Sequence, residues 1–293
     1  NSIEAINKST WSEKWAEYRK RPGSFIMFIF VHLATLITVL SIGFLLVYVL
    51  VKGIPNLNAD IFSWEYTSDN CSLVPALINT VYMTLLSLLI AGPIGIFAAI
   101  YLVEYAKTGN KLVGVVRITA ETLTGIPSIV YGLFGMLFFT NACGLRLSLI
   151  SGALTLAIMV LPVIMRTTEE ALMAVPKSYR EGSFGLGAGK LRTVFKVVLP
   201  SAVPGILSGI ILATGRIVGE TAALIYTAGS VAKMATKLTD STRTLAVHMY
   251  LLSKEGLHTD QGYATAVVLL VLVVLINFAS DKIAGKVAAD KAN

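Results

Sequence analysis

Apolar residues in this chain come in long unbroken runs, and polar residues collect between the runs. Crossing a hydrocarbon layer takes about 20 apolar residues in a helix rising 1.5 Å each. Six runs approach or exceed that length: Ser24–Val51, Leu73–Val103, Leu112–Phe139, Leu147–Met165, Val197–Tyr226 and Tyr263–Ser280. They predict an all-α integral membrane protein with six transmembrane helices. The first run lacks a small-residue cleavage site and exceeds a signal-peptide core, so it is expected to be retained. Pro93, Pro127, Pro162 and Pro204 fall inside or near the ends of runs, where lipid-buried helices tolerate kinks. The expected division is a tail at 1–23, a first helix at 24–51, a main transmembrane domain at 73–281 with a polar loop at 166–196, and a second tail at 282–293.

Composition supports lipid as the solvent. Mean hydropathy is +0.74 and 14% of residues are charged, against about 25% in soluble domains. The net charge of +7 does not mark a nucleic-acid binder, because the basic residues sit in short loops beside apolar runs. They are unevenly shared. Lys8, Lys14, Arg19, Lys20, Arg21, Lys107, Lys111, Arg166, Lys177, Arg180, Lys190, Arg192, Lys196, Lys282, Lys286 and Lys291 occupy one set of tails and loops. The alternate loops hold Lys52, Arg146, Lys233, Lys237, Arg243 and Lys254. Sixteen against six places both termini and the 166–196 loop in the cytoplasm. Cys71 and Cys143 match no metal spacing; both are expected outside, as separate thiols or as a disulfide. His32 has no partner at ligand spacing and reads as a packing residue, and His248 and His258 are expected to be exposed. No nucleophile–base pair or paired carboxylates suggests catalysis.

Within the polar loop, Ala171–Lys196 predicts a helix, a glycine turn and a second helix. Gly187 supplies a positive φ at no steric cost, and Glu181 is expected to cap or to pair with Lys177 or Arg180. Gly189-Lys190 is not part of a phosphate-binding loop, since Phe184 and Leu191 stand where glycine and Ser/Thr are needed. Glu181-Gly182-Ser183, three residues, Gly187, nine residues and Val197-Val198-Leu199-Pro200 together resemble the EAA loop of ABC importer permeases. That pattern is Glu-Ala-Ala, three residues, Gly, nine residues, Ile, any residue, Leu-Pro. The resemblance implies that Glu181, Gly182, Gly187, Leu199 and Pro200 belong to a cytoplasmic coupling helix docking on an ATPase subunit. An amphipathic hairpin lying on headgroups is the alternative.

The fifth run carries Gly205, Gly209 and Ala213 at four-residue spacing, a face that lets helix backbones approach closely and is expected to suit a tight seam between permease subunits. It also carries Arg216 and Glu220. Arg216 lies about 24 Å beyond Pro200, where a charge costs roughly 3 kcal/mol or more. A structural pair one turn apart is one reading of these charges; a substrate pathway is the other, with guanidinium holding an oxyanion by its fork and Thr221 adding a hydroxyl. Arg117 and Glu121 repeat the spacing about 8 Å from Leu112, as a headgroup-reaching pair or an inner gate.

Gly215-Arg216, Gly219-Glu220-Thr221-Ala222, Gly125–Gly135, Leu161–Glu169 and Ile100–Tyr105 resemble the permease subunits of phosphate-uptake ABC importers, of the PstA type. The likeness runs from about Leu73 onward. It implies a type I ABC importer permease fold and a multi-pass subunit of a bacterial or archaeal cytoplasmic membrane. The partners it implies are a homologous second permease (PstC type), two ATPase subunits (PstB type) and an extracytoplasmic phosphate-binding protein (PstS type). This chain then binds no cofactor, ATP and magnesium residing on the ATPases, and Glu220 orients Arg216 or accepts a phosphate proton. The long 227–262 loop is expected to help meet the delivery protein. A permease for molybdate or sulfate, an ion-coupled secondary transporter and a membrane enzyme are the competing readings.

Overall fold

The computed structural model describes residues 22–107 and 109–289; Lys8, Lys14, Arg19, Lys20, Arg21 and Lys291, used above for orientation, lie outside them. Two compact units divide between Val51 and Lys52. The first consists, among the described residues, of most of helix α1 (Pro22–Gly53). Its hydroxyls bond back one turn, Thr35 Oγ1 to Val31 O at 2.8 Å and Thr38 Oγ1 to Ala34 O at 2.9 Å. His32 is satisfied in the same way, its Nδ1 lying 2.9 Å from Phe28 O. In lipid no water replaces such bonds, so every polar group needs a partner inside the protein.

The second unit is all-helical among the described residues. Helix α2 (Val74–Ile100) runs on through a π-helical turn at Tyr101–Tyr105. The third expected span is broken: α3 (Lys111–Thr124) and α4 (Ser128–Gly135, continued by a π-helical Met136–Ala142) meet at 104°. Pro127 lacks an N–H and disfavours helical backbone at Ile126; Tyr131 Oη donates to Leu123 O across the bend at 2.8 Å. Helix α5 (Leu149–Ala174) is the most enclosed span. A short hairpin, α6 (Lys177–Gly185) and α7 (Lys190–Thr193), then leads through a π-helical turn into α8 (Leu199–Val218). The fifth expected span stops at Val218; Gly219–Thr221 breaks it before α9 (Ala222–Thr227). Helix α10 (Leu245–Glu255) precedes α11 (Thr259–Ala289). Among the described residues, five helices are long and apolar enough to span a membrane, six if the bent pair counts as one span.

Helix α5 packs most extensively on α2 and α8. Its fully buried Leu156, Met159, Val160 and Ile164 meet Met83 and Ile217 there. The small-residue face of α8 is spent here, within the chain. A Cβ added to Gly205 would come within 2.6 Å of Ala171 Cβ, and one at Gly209 would overlap Thr167. The expectation that this face forms a seam with another subunit is therefore corrected: two small residues let α8 seat against α5, the close approach small faces permit.

The loop after α9 wraps the Leu149 end of α5, with Leu149 N donating to Asp240 O at 2.9 Å and Ile150 N to Leu238 O at 2.9 Å. The hairpin follows the opposite, Ala174 end. A 26-residue helix separates the two by about 39 Å.

Candidate functional site

Two regions gather the residues the sequence singles out. The first is the α6–α7 hairpin. Gly187 adopts φ +82 and closes α6 with two bonds, its own N to Phe184 O at 2.9 Å and Ala188 N to Ser183 O at 3.1 Å. This crossed pair is a Schellman ending, which needs a left-handed residue at the turn. Ser183 Oγ and Thr193 Oγ1, 2.9 Å apart, tie the two helices together. The tip displays apolar side chains: Leu186 is 91% exposed, and Leu191, Tyr179 and Phe184 are exposed as well. Glu181 and Gly182 are exposed, and Leu199 and Pro200 begin α8.

Neither Lys177 nor Arg180 pairs with Glu181 among the described residues, which corrects that expectation. Arg180 turns instead to Glu104 at the end of the α2 extension, Nη2 at 2.6 Å and Nε at 3.0 Å from Oε1. Its Nη1 and Nη2 also donate to Val175 O and Leu172 O, both at 2.9 Å. Lys190 lies over the Tyr105 ring at 5.1 Å. Buried Val194 and Val198 join Leu172, Ile100 and Leu102 in one apolar cluster. The hairpin is thus held to α2 and α5 by charge and by packing, while its tip stays open.

The second region surrounds Arg216. Ser208, Ile211, Leu212, Gly215, Arg216 and Asn277 line an open groove of about 640 Å³ between α8 and α11. Arg216 forms no ion pair among the described residues. Glu220, 8% exposed, does not reach it: Oε1 accepts from Thr221 N at 3.2 Å and Ala223 N at 3.1 Å, capping α9. The helix ends at Val218, so Arg216 and Glu220 never stand one turn apart on it, and the orienting role expected for Glu220 is corrected. Thr221 sits at the break. Asn277, the lone amide of an apolar stretch, escaped the sequence reading although its polarity in that run was a usable signal.

Arg117 and Glu121 likewise do not pair with each other. Arg117 Nη2 meets Glu169 Oε1 of α5 at 2.5 Å, and Arg166 lies 3.2 Å from Glu170 and 3.8 Å from Glu121. These groups line a groove of about 280 Å³ lying toward the hairpin end of α5. Glu169 has no sequence signal of its own, because its partner lies on another helix.

Three expectations concern the other end. His248 is fully buried, not exposed, and His258 is half-buried. The His248 Nε2–H donates to Cys71 O at 3.2 Å, and burial, followed by the nearby Arg243 charge, pushes its pKa down to about 3. Cys71 is buried and Cys143 exposed, each a free thiol; burial raises the Cys71 pKa.

Comparison with known proteins bears on this arrangement. The family model described as the binding-protein-dependent transport system inner membrane component matches residues 91–289. A probable ABC transporter permease protein of Bacillus subtilis, YqgI, is 33% identical over 84% of this chain and 90% of its own length. The phosphate transport system permease protein PstA of Xylella fastidiosa is 40% identical over 60% of this chain and 62% of its own length. A bacterial alginate ABC transporter, solved in complex with a periplasmic protein carrying an alginate pentasaccharide, superposes with a TM-score of 0.64 at 15% identity over 91% of this chain and 98% of that one. The fold is that of the type I ABC importer permeases, and the chain belongs to the binding-protein-dependent transport system inner membrane components: a multi-pass, non-catalytic permease subunit of an ABC importer.

Proposed function

We propose that this permease carries inorganic phosphate. Arg216 carries the reading: a guanidinium near the far end of an apolar helix, without a carboxylate partner among the described residues, beside Ser208 and Asn277 in an open groove. An unpaired charge there is costly, and a transported oxyanion repays it by filling the fork with two oxygens. Sulfate or molybdate fits a fork too; the PstA relatives favour phosphate. The groove opens on the chain's own surface, so a homologous second permease is the partner that would close it. Thr221 and Glu220 shape the backbone beside Arg216, and Arg117, Glu121 and their partners on α5 act as a gate nearer the hairpin.

Work is supplied from outside. The exposed apolar tip of the hairpin docks on an ATPase subunit that binds ATP and magnesium, and a phosphate-loaded delivery protein meets the opposite end. Both termini and the hairpin lie in the cytoplasm in this reading, as the lysine and arginine bias implies. The test is uptake of labelled phosphate by cells co-expressing the partners. Arg216→Gln is expected to cut uptake roughly 10- to 100-fold, the worth of one charge-assisted contact, while the complex still assembles. Undiminished uptake would refute the pathway role, and uptake blocked equally by unlabelled sulfate would refute the choice of phosphate.

A further inference from the structure

The loop that wraps the Leu149 end of α5 holds apolar side chains outward on a fixed backbone. Met234 and Leu238 are both exposed, yet the chain between them is pinned. Ala235 N donates to Asn79 Oδ1 at 2.9 Å, and Asn79 Nδ2 donates to Lys233 O at 2.9 Å. Asp240 Oδ2 accepts from Thr236 N and Lys237 N, both at 2.9 Å, and from Thr236 Oγ1 at 3.0 Å. Between this loop and α2 runs an open groove of about 710 Å³. Tyr82, Leu85 and Leu89 line it from α2, and Met234, Lys237 and Leu238 from the loop.

Depth gives the groove its chemistry. Helix α2 is long and apolar enough to cross a membrane, and Tyr82 stands about 12 Å along it from Val74. A Cβ added to Gly152 would come within 2.9 Å of Met83 Cε. The first turn of α5, and the loop bonded to it, therefore lie level with the third turn of α2. Below Tyr82 the exposed groove residues of α2 are Leu85 and Leu89. Lys237 thus shares a groove with lipid-facing leucines, where a cation without an anionic partner is costly. Its ammonium forms no ion pair among the described residues, and the loop's own acid, Asp240, spends Oδ2 on three other bonds. Lys233, exposed on the same loop, adds to the positive potential. The Tyr82 hydroxyl makes no hydrogen bond among the described residues.

A cationic rim over an apolar trough fits an amphiphile with an anionic head, the ligand that basic pockets between spans take. An inorganic anion would leave the trough wet, and a choline headgroup would set a like charge against both lysines. We propose that this groove binds one anionic phospholipid. Its phosphate sits on the Lys237 ammonium and the Tyr82 hydroxyl, and an acyl chain lies along Leu85, Leu89, Met234 and Leu238. The site is separate from the Arg216 groove and does not depend on which solute is transported.

The experiment titrates the purified full chain in detergent with phosphatidylglycerol, and with phosphatidylcholine of the same chains, and counts bound lipid by native mass spectrometry. Phosphatidylglycerol is expected to bind roughly fivefold more tightly, the worth of one lysine at a lipid headgroup. Lys237→Gln is expected to bring the two lipids near parity, while Lys254→Gln, at an exposed lysine of α10, keeps the preference. Leu85→Trp, which fills the groove, should weaken both lipids several-fold. Equal binding of the two lipids, a preference that survives Lys237→Gln, or an equal loss in Lys254→Gln would overturn the proposal. So would a dimer of the chain that Leu85→Trp dissociates, since a second copy would then own this face.

Discussion

At the scale of single residues, spacing misled where chemistry did not. A one-turn pair is one of the two readings of Arg216–Glu220, and Arg117–Glu121 repeats its spacing; neither pair forms. In the first case the helix has ended before Glu220, whose carboxylate caps the next helix. In the second, another helix supplies a closer partner, Glu169. Periodicity reports neighbours along one helix; it is blind to what packs across from it. His248 shows the same blindness, a histidine in a polar loop that folds into a fully buried position. That burial has a measurable consequence. Its folded pKa is about 3, whereas an unfolded histidine titrates near 6.5. Between those values the unfolded chain binds the proton and the folded chain does not. Stability therefore falls as pH drops through that window, by up to about 1.4 kcal/mol per pH unit. Thermal unfolding from about pH 6.5 down to about pH 4.5 should show this slope, reduced in His248→Gln; equal slopes would place the titration elsewhere.

At the scale of elements, hydrophobic runs predicted helices well and their continuity poorly. Pro127 and the Gly219–Thr221 break were in plain view, yet whether a proline kinks a helix or splits it depends on what packs at the bend. Here Gly132 of α4 lies against Ala223 of α9, where an added Cβ would sit 2.8 Å from the Ala223 Cα. The glycine turn of the hairpin was legible because Gly187 is a local necessity. The anchor holding the hairpin was not, since Glu104 and Arg180 stand 76 residues apart. Replacing Glu104 with Ala leaves a mostly buried guanidinium unpaired, a loss of roughly 3–5 kcal/mol for a buried pair. Amide hydrogen exchange across residues 172–198 should then speed up while the core of α5 stays protected. Unchanged exchange would show that the apolar cluster alone fixes the hairpin.

At the scale of the whole molecule, the sequence conveyed class through its apolar runs, and family through the motifs that carry the resemblance. It did not convey that the small-residue face of α8 is consumed inside the chain, which moves any contact with a second permease to other surfaces, the Arg216 groove among them. In the function proposed above, coupling would run from the open hairpin tip through the Arg180–Glu104 contact and along α2 and α5, about 39 Å, to the loop that wraps Leu149. The central claim is that transport is driven through this route by a separate ATPase. It is tested most directly in proteoliposomes holding this chain with its second permease and phosphate-loaded delivery protein, measured with and without the ATPase subunits and ATP. The account predicts phosphate accumulation only when the ATPase and ATP are both present; uptake by the permeases alone would contradict it.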